Sequence, residues 1–189
     1  GKGVFALNAP ISVTTAGDLT TGLMNTTGPL SINSSAGDVS LDTPIDALAG
    51  PVSVSAARNV SINQPVVNLR NSSGFVANAG GDIIVNAQVD GRGGSTGGGI
   101  DLVAGGSVRL NDFLITNNGA IHVKASTGSI VTASNKGLFA NGGAIDLISA
   151  TDFTTGILAT SGSLDLTSIG GSVTIGRGID GTAGALTLT

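Results

Sequence analysis

His122 is the only histidine in the chain, and aspartates recur at matching places around it. Asp101 stands in Ile100-Asp101-Leu102, Asp146 in Ile145-Asp146-Leu147 and Asp165 in Leu164-Asp165-Leu166. His122 occupies the same middle place in Ile121-His122-Val123. Alternate side chains of a strand point to opposite faces, so these four residues face outward if their neighbours face inward. Stacked at about 4.8 Å in successive strands, an imidazole between carboxylates suits a general acid/base pair or a weak cation site. The plainer alternative is a solvated face on which His122 separates like charges.

Other motifs point less clearly to chemistry. Gly17-Asp18, Gly37-Asp38 and Gly81-Asp82 invite a calcium reading, but calcium-binding β-rolls use a Gly-Gly-x-Gly-x-Asp nonapeptide that this chain lacks. Corner aspartates that bond nearby backbone amides account for the motif better. Gly91 to Gly99 is glycine-rich, yet no helix pattern and no Gly-Lys-Ser/Thr follow, which disfavours a phosphate cradle. Arg109 is the candidate for a catalytic arginine, but its neighbours in adjacent repeats are Ile84 and Val131, with no acidic cluster beside it. An outward series of Thr and Ser, including Thr20, Ser40, Ser61, Thr154 and Thr174, resembles an ice-binding array that Arg109 interrupts. No residue set asks for a cofactor or a resident metal.

Composition says which elements could position such residues. The 189 residues include 31 Gly and 5 Phe, with no Tyr, Trp or Cys, and all 12 acidic residues are Asp. Absent Glu and scarce Lys argue against long helices; abundant Val, Ile, Thr, Gly and Asn argue for short strands and turns. The net charge of -4 argues against a nucleic-acid partner, which needs a basic surface. No apolar run is long enough to span a membrane as a helix. Without Cys there are no disulfides and no thiolate metal sites. Gly1-Lys2-Gly3-Val4 does not read as a signal peptide, so a secreted protein would carry its signal upstream.

The strands form an internal repeat. An apolar-x-apolar triplet stands at Ile11-Ser12-Val13 and, preceded by glycine and one further residue, at Leu30-Ser31-Ile32, Val52-Ser53-Val54, Ile100-Asp101-Leu102, Ile121-His122-Val123 and beyond, with a degraded copy at Val76-Ala77-Asn78. Steps run from 19 to 24 residues. A second strand follows each time, as in Gly37-Asp38-Val39-Ser40-Leu41 and Gly106-Ser107-Val108-Arg109-Leu110. A third apolar place comes next, at Ile45, Val66, Val89, Leu114 and Ile179, with Leu23, Leu138 and Leu158 nearby. This pattern predicts an all-β, right-handed parallel β-helix of about eight coils, roughly 22 residues and three short strands per coil. At about 4.8 Å per coil the rod would be roughly 40 Å long. Residues 1–189 read as a single segment of a longer solenoid, with a flexible Gly-rich loop at 90–99. Antiparallel hairpins, or Leu30, Val52, Ile121 and Leu164 in water, would overturn this reading.

The repeated unit resembles the filamentous-haemagglutinin-like exoproteins of two-partner secretion systems. The matching stretches are Gly28–Ile45, Gly50–Val66, Gly119–Thr132 and Gly162–Ile179, and the resemblance covers nearly the whole chain. It implies a secreted adhesin on the cell surface of a Gram-negative bacterium, exported unfolded through an outer-membrane transporter partner. It implies as ligand a surface glycan or protein, or a matrix polysaccharide, in cell adhesion or biofilm formation. The expected function is thus a non-catalytic structural and adhesive rod, with Asp101, His122, Asp146 and Asp165 as the candidate ligand face. The rival is a β-helical polysaccharide lyase or hydrolase, or a tailspike-like module. The absence of aromatic residues other than Phe weighs against sugar stacking in a catalytic cleft.

Overall fold

Leu30-Ser31-Ile32-Asn33-Ser34 shows how the alternation works. The strand Leu30–Ser34 buries Leu30, Ile32 and Ser34 and leaves Ser31 exposed. Two shorter strands, Val39–Leu41 and Ile45–Ala47, follow before the next long strand, Val52–Ala56. The computed structural model of the chain describes residues 4–47, 50–67, 69, 74–93, 98–181 and 184–189. Among these, the chain visits three sheets in turn and returns to each one coil later. Long strands from Ile11–Thr15 to Leu186–Leu188 form a nine-stranded sheet; strands from Leu19–Thr20 to Val173–Ile175 form an eight-stranded second sheet. Strands from Val4–Ala6 to Ile179–Gly181 form a nine-stranded third sheet. Neighbours pair in parallel throughout, and no helix occurs among the described residues. The fold is therefore a parallel β-solenoid of about eight coils.

The core is a set of columns. Ile11, Leu30, Val52, Phe75, Ile100, Ile121, Ile145 and Leu164 form one inner column of the long-strand sheet. Leu30, Val52, Ile121 and Leu164 are all 2% exposed or less. Two expected positions shift by one residue. At the fourth coil Phe75, Ala77 and Ala79 face inward and Val76 faces out. The large Phe75 ring takes the aliphatic place, and the small Ala77 behind it offsets the added volume. In the third sheet Met24 faces inward opposite Ile45, while Leu23 lies 40% exposed. Leu138 and Leu158 join that column as Leu114↔Leu138↔Leu158.

Close backbone approach explains the glycine of the repeat. Gly28, Gly50, Gly119, Gly143 and Gly162 each stand two residues before a long strand. A Cβ on Gly143 would lie 2.1 Å from the Gly119 carbonyl oxygen, and one on Gly162 would lie 2.4 Å from that of Gly143. Buried Thr side chains satisfy the corner: Thr160 Oγ1 donates to the Gly143 carbonyl at 2.5 Å and accepts from the Gly162 N–H at 2.9 Å.

At the corner before the second sheet the aspartates do more than cap their own turn. Asp18 Oδ1 accepts the backbone N–H of Asp38, one coil on. Asp38, Asn59 and Asp82 repeat this toward Asn59, Asp82 and Ser107. The expected local bonding is thus corrected to a ladder between coils. At the opposite end of that sheet Asn63, Asn86 and Asn111 stack amide to amide.

Residues 90 and 91, expected to open a loop, are instead strand. Val89–Gly91 is a strand of the third sheet, with Asp90 opposite Ile115. The Gly98 N–H donates to the Gly91 carbonyl at 3.1 Å, and 94–97 lie outside the described residues.

Candidate functional site

The long-strand sheet brings the predicted outward residues into one column. Asp101 pairs with His122, His122 with Asp146, and Asp146 with Asp165. Buried neighbours on both sides of each residue force the polar side chains outward. His122 Nδ1 lies 2.9 Å from Asp101 Oδ1, and Nε2 lies 3.6 Å from Asp146 Oδ2. About a third of the imidazole is exposed (34%). A neutral ring donating from Nδ1 to Asp101 is oriented by that bond; a protonated ring attracts both carboxylates. Asp165 continues the column beyond the histidine and makes no ion pair among the described residues. A shallow hollow of about 280 Å³ adjoins Asp101 and His122 and reaches Val76 and Ala120. The arrangement can shuttle a proton or accept hydrogen bonds from a polar ligand.

Arg109 stands on the second sheet between Ile84 and Val131, as its spacing predicts. Among the described residues no group of three His, Cys, Asp or Glu has the geometry to hold a metal ion. Comparison with protein-family models, curated proteins and solved structures finds no match.

A second cluster, on the outer face of the third sheet, was not legible as a site from sequence. Arg92 grips Asp90 with two side-chain hydrogen bonds, Nε to Oδ1 at 3.0 Å and Nη2 to Oδ2 at 2.7 Å. The Arg92 backbone N–H and Gln88 Nε2 also donate to Asp90. One and two coils on, the rings of Phe113 and Phe139 meet with centroids 5.7 Å apart and planes tilted by 60°. Lys136 Nζ sits 4.4 Å from the Phe113 centroid and 2.6 Å from Asp112 Oδ1. The signal for the aromatic pair was two Phe residues about one coil apart, meaningful only once the coil length there is known.

The Asp90 carboxyl reports on this cluster. Burial pushes it up; the bonds from Arg92 and Gln88 outweigh burial and hold it below its ordinary value of 3.8. The sign for stability follows. A depressed folded value contributes stability above the unfolded value, and that contribution is lost as pH falls through the folded one, here below pH 3.8. Replacing Arg92 by Leu removes the guanidinium bonds and charge and leaves burial opposed only by the backbone N–H of residue 92 and by Gln88. The Asp90 titration midpoint, followed by carboxyl-carbon NMR, is then expected to rise. An unmoved midpoint would show that Arg92 does not set the carboxyl's charge.

Proposed function

We propose that the chain is a non-catalytic structural and adhesive rod of a secreted protein on the surface of a Gram-negative bacterium. The observation that supports this reading most is the stack itself. Long-strand pairing runs in register from Ile11 to Leu188, so extension adds about 4.8 Å per coil without a new fold. Such a scaffold holds a ligand-binding face away from a surface, and its outward columns, including Asp101, His122 and Asp146, offer polar groups at regular spacing. The proposed ligands are surface glycans or proteins and matrix polysaccharide. The proposed route to the surface uses an outer-membrane transporter partner, as the resemblance to filamentous-haemagglutinin-like exoproteins suggests.

The second reading, a polysaccharide-cleaving enzyme or tailspike-like module, draws on the His122–Asp101 bond beside its hollow. One pair of assays separates the two. Beads coated with the chain are expected to be retained on cell or biofilm surfaces above the level of uncoated beads. Incubation with acidic polysaccharides is expected to release no new reducing or unsaturated ends. New ends that disappear in His122→Ala would replace the rod by the enzyme.

A further inference from the structure

We propose that the outer face of the third sheet is a binding groove for an extended, uncharged oligosaccharide lying along the solenoid axis. Three adjoining hollows make the groove. The first, of about 360 Å³, lies over Asp90, Arg92 and Asn117. The second, of about 300 Å³, shares Arg92 and has Phe113, Ile115 and Phe139 as its floor, with Asn141 at its far wall. The third, of about 170 Å³, shares Asn141 and continues to Ser161 and Asp180. The register Asp90↔Ile115↔Phe139↔Ala159↔Asp180 places these residues in one outward column.

The chemistry of the column selects the ligand. A pyranose ring has an apolar C–H face and a rim of hydroxyls, so it needs an apolar floor with donors and acceptors at the edges. Phe139, Phe113 and Ile115 supply the floor. Asn117 and Asn141 each carry a donor and an acceptor, and Ser161 carries both on one oxygen. Asn117 is further placed by its Nδ2, which donates to the Arg92 carbonyl at 3.3 Å. Charge complementarity then favours a neutral chain. Arg92, the cation that lines the groove, is matched by Asp90, and Lys136, over the Phe113 ring, is matched by Asp112. Asp180 has no matching cation among the described ion pairs, so a polyanion meets net negative charge.

Spacing adds a second argument. One sugar unit of an extended β-linked chain is about as long as the ~4.8 Å step between coils, so successive rings meet successive coils. The same spacing argues for binding without cleavage. Asp90 and Asp180, the carboxylates that line the hollows, stand four coil steps apart, roughly 19 Å, well beyond the roughly 5–9.5 Å between paired carboxyls in glycoside hydrolysis.

The proposal extends the adhesive reading and does not depend on it. Isothermal titration of the whole chain with cellohexaose, mannohexaose and hexagalacturonate tests it. The two neutral hexasaccharides are expected to bind, and hexagalacturonate to bind more weakly. Phe139→Ala is expected to weaken neutral binding roughly tenfold or more, as loss of a central aromatic anchor does. Phe139→Leu, which keeps an apolar side chain, is expected to fall between, and Arg109→Ala on another face to change nothing. Circular dichroism checks that each variant is folded; if Phe139→Ala is not, the Leu variant and backbone-amide shift mapping on the native chain decide. No binding of either neutral sugar overturns the groove, as do tighter hexagalacturonate binding and amide shifts confined to the His122 face. In that last case the adhesive reading survives. Groove binding without retention of coated beads on any surface would sink the rod alone.

Discussion

Leu102→Asp is expected to abolish the folded solenoid at neutral pH. Leu102 is 0% exposed and stands between Ala77 and Val123 in the inner column of the long-strand sheet. No backbone donor is free there, because the strand's N–H groups already serve the ladder. A carboxylate at that place is buried without a partner, so it takes up a proton, and a buried hydroxyl without a partner still costs several kcal/mol. The lost packing of the Leu side chain adds about 2–5 kcal/mol. Together these rival the roughly 5–15 kcal/mol that holds a typical domain together. The pH dependence has a definite sign. Burial raises the folded value of this Asp above its unfolded value of about 3.9, so the folded state binds the extra proton. The variant is therefore least unstable below pH ~4 and loses stability as pH rises through the folded value. Circular dichroism melts at pH 4 and pH 7 would show this. A native melt at pH 7 would mean that Leu102 is not in the core.

The second large effect is expected at a glycine. Gly143→Ala puts a Cβ 2.1 Å from the Gly119 oxygen, 2.5 Å from its carbonyl carbon and 2.9 Å from Ala120 N. These are backbone atoms, which cannot rotate aside as a side chain does. The adjoining coils must separate at that corner, which also strains the adjacent bond from the Ile121 N–H to the Ala144 carbonyl. Overpacking of this kind costs about 1–3 kcal/mol, and the upper end is expected here. Gly17 provides the contrast, since a Cβ there meets nothing within 4 Å. Gly17→Ala is expected to be neutral or to stabilise by about 0.4–1 kcal/mol through the unfolded chain. Urea midpoints of the two variants, with the slope unchanged, would measure the difference. Equal midpoints would show that the corner has room to spare.

The two positions also show what could be read before the structure and what could not. Leu102 belongs to an alternation visible in the chain, and with it the three-strand coil, the parallel pairing and the outward column at His122. The misplacements have a common physical cause. At Phe75 and Met24 the inward residue is neither aliphatic nor β-branched, and an adjacent Val76 or Leu23 is the better aliphatic match to the repeat. Side-chain type misled there because the core accepts any apolar residue whose volume its neighbours offset, as Ala77 does for Phe75. The glycine before most of the long strands was legible as a corner, but the reason for it lies in a carbonyl of the preceding coil. The aromatic groove was hidden for a similar reason. Phe113 is a corner residue and Phe139 lies within the strand Gly137–Ala140, so only the register Leu114↔Leu138 brings the rings together. Arg92 and Asp90 were hidden because the glycine-rich composition around them reads as loop, while Asp90 is part of a strand.

The direction of the interstrand hydrogen bonds has a mechanical consequence. They run along the rod, from each coil to the next, as do the Asp18, Asp38, Asn59 and Asp82 ladders. Tension applied to the two ends of the chain therefore pulls along these bonds and loads the outermost coil first, so that coils peel away in sequence. Each released coil of about 22 residues pays out roughly 70 Å of slack at some 3.3 Å per residue. A tether built this way would yield stepwise under shear and dissipate the load while its inner coils stay closed.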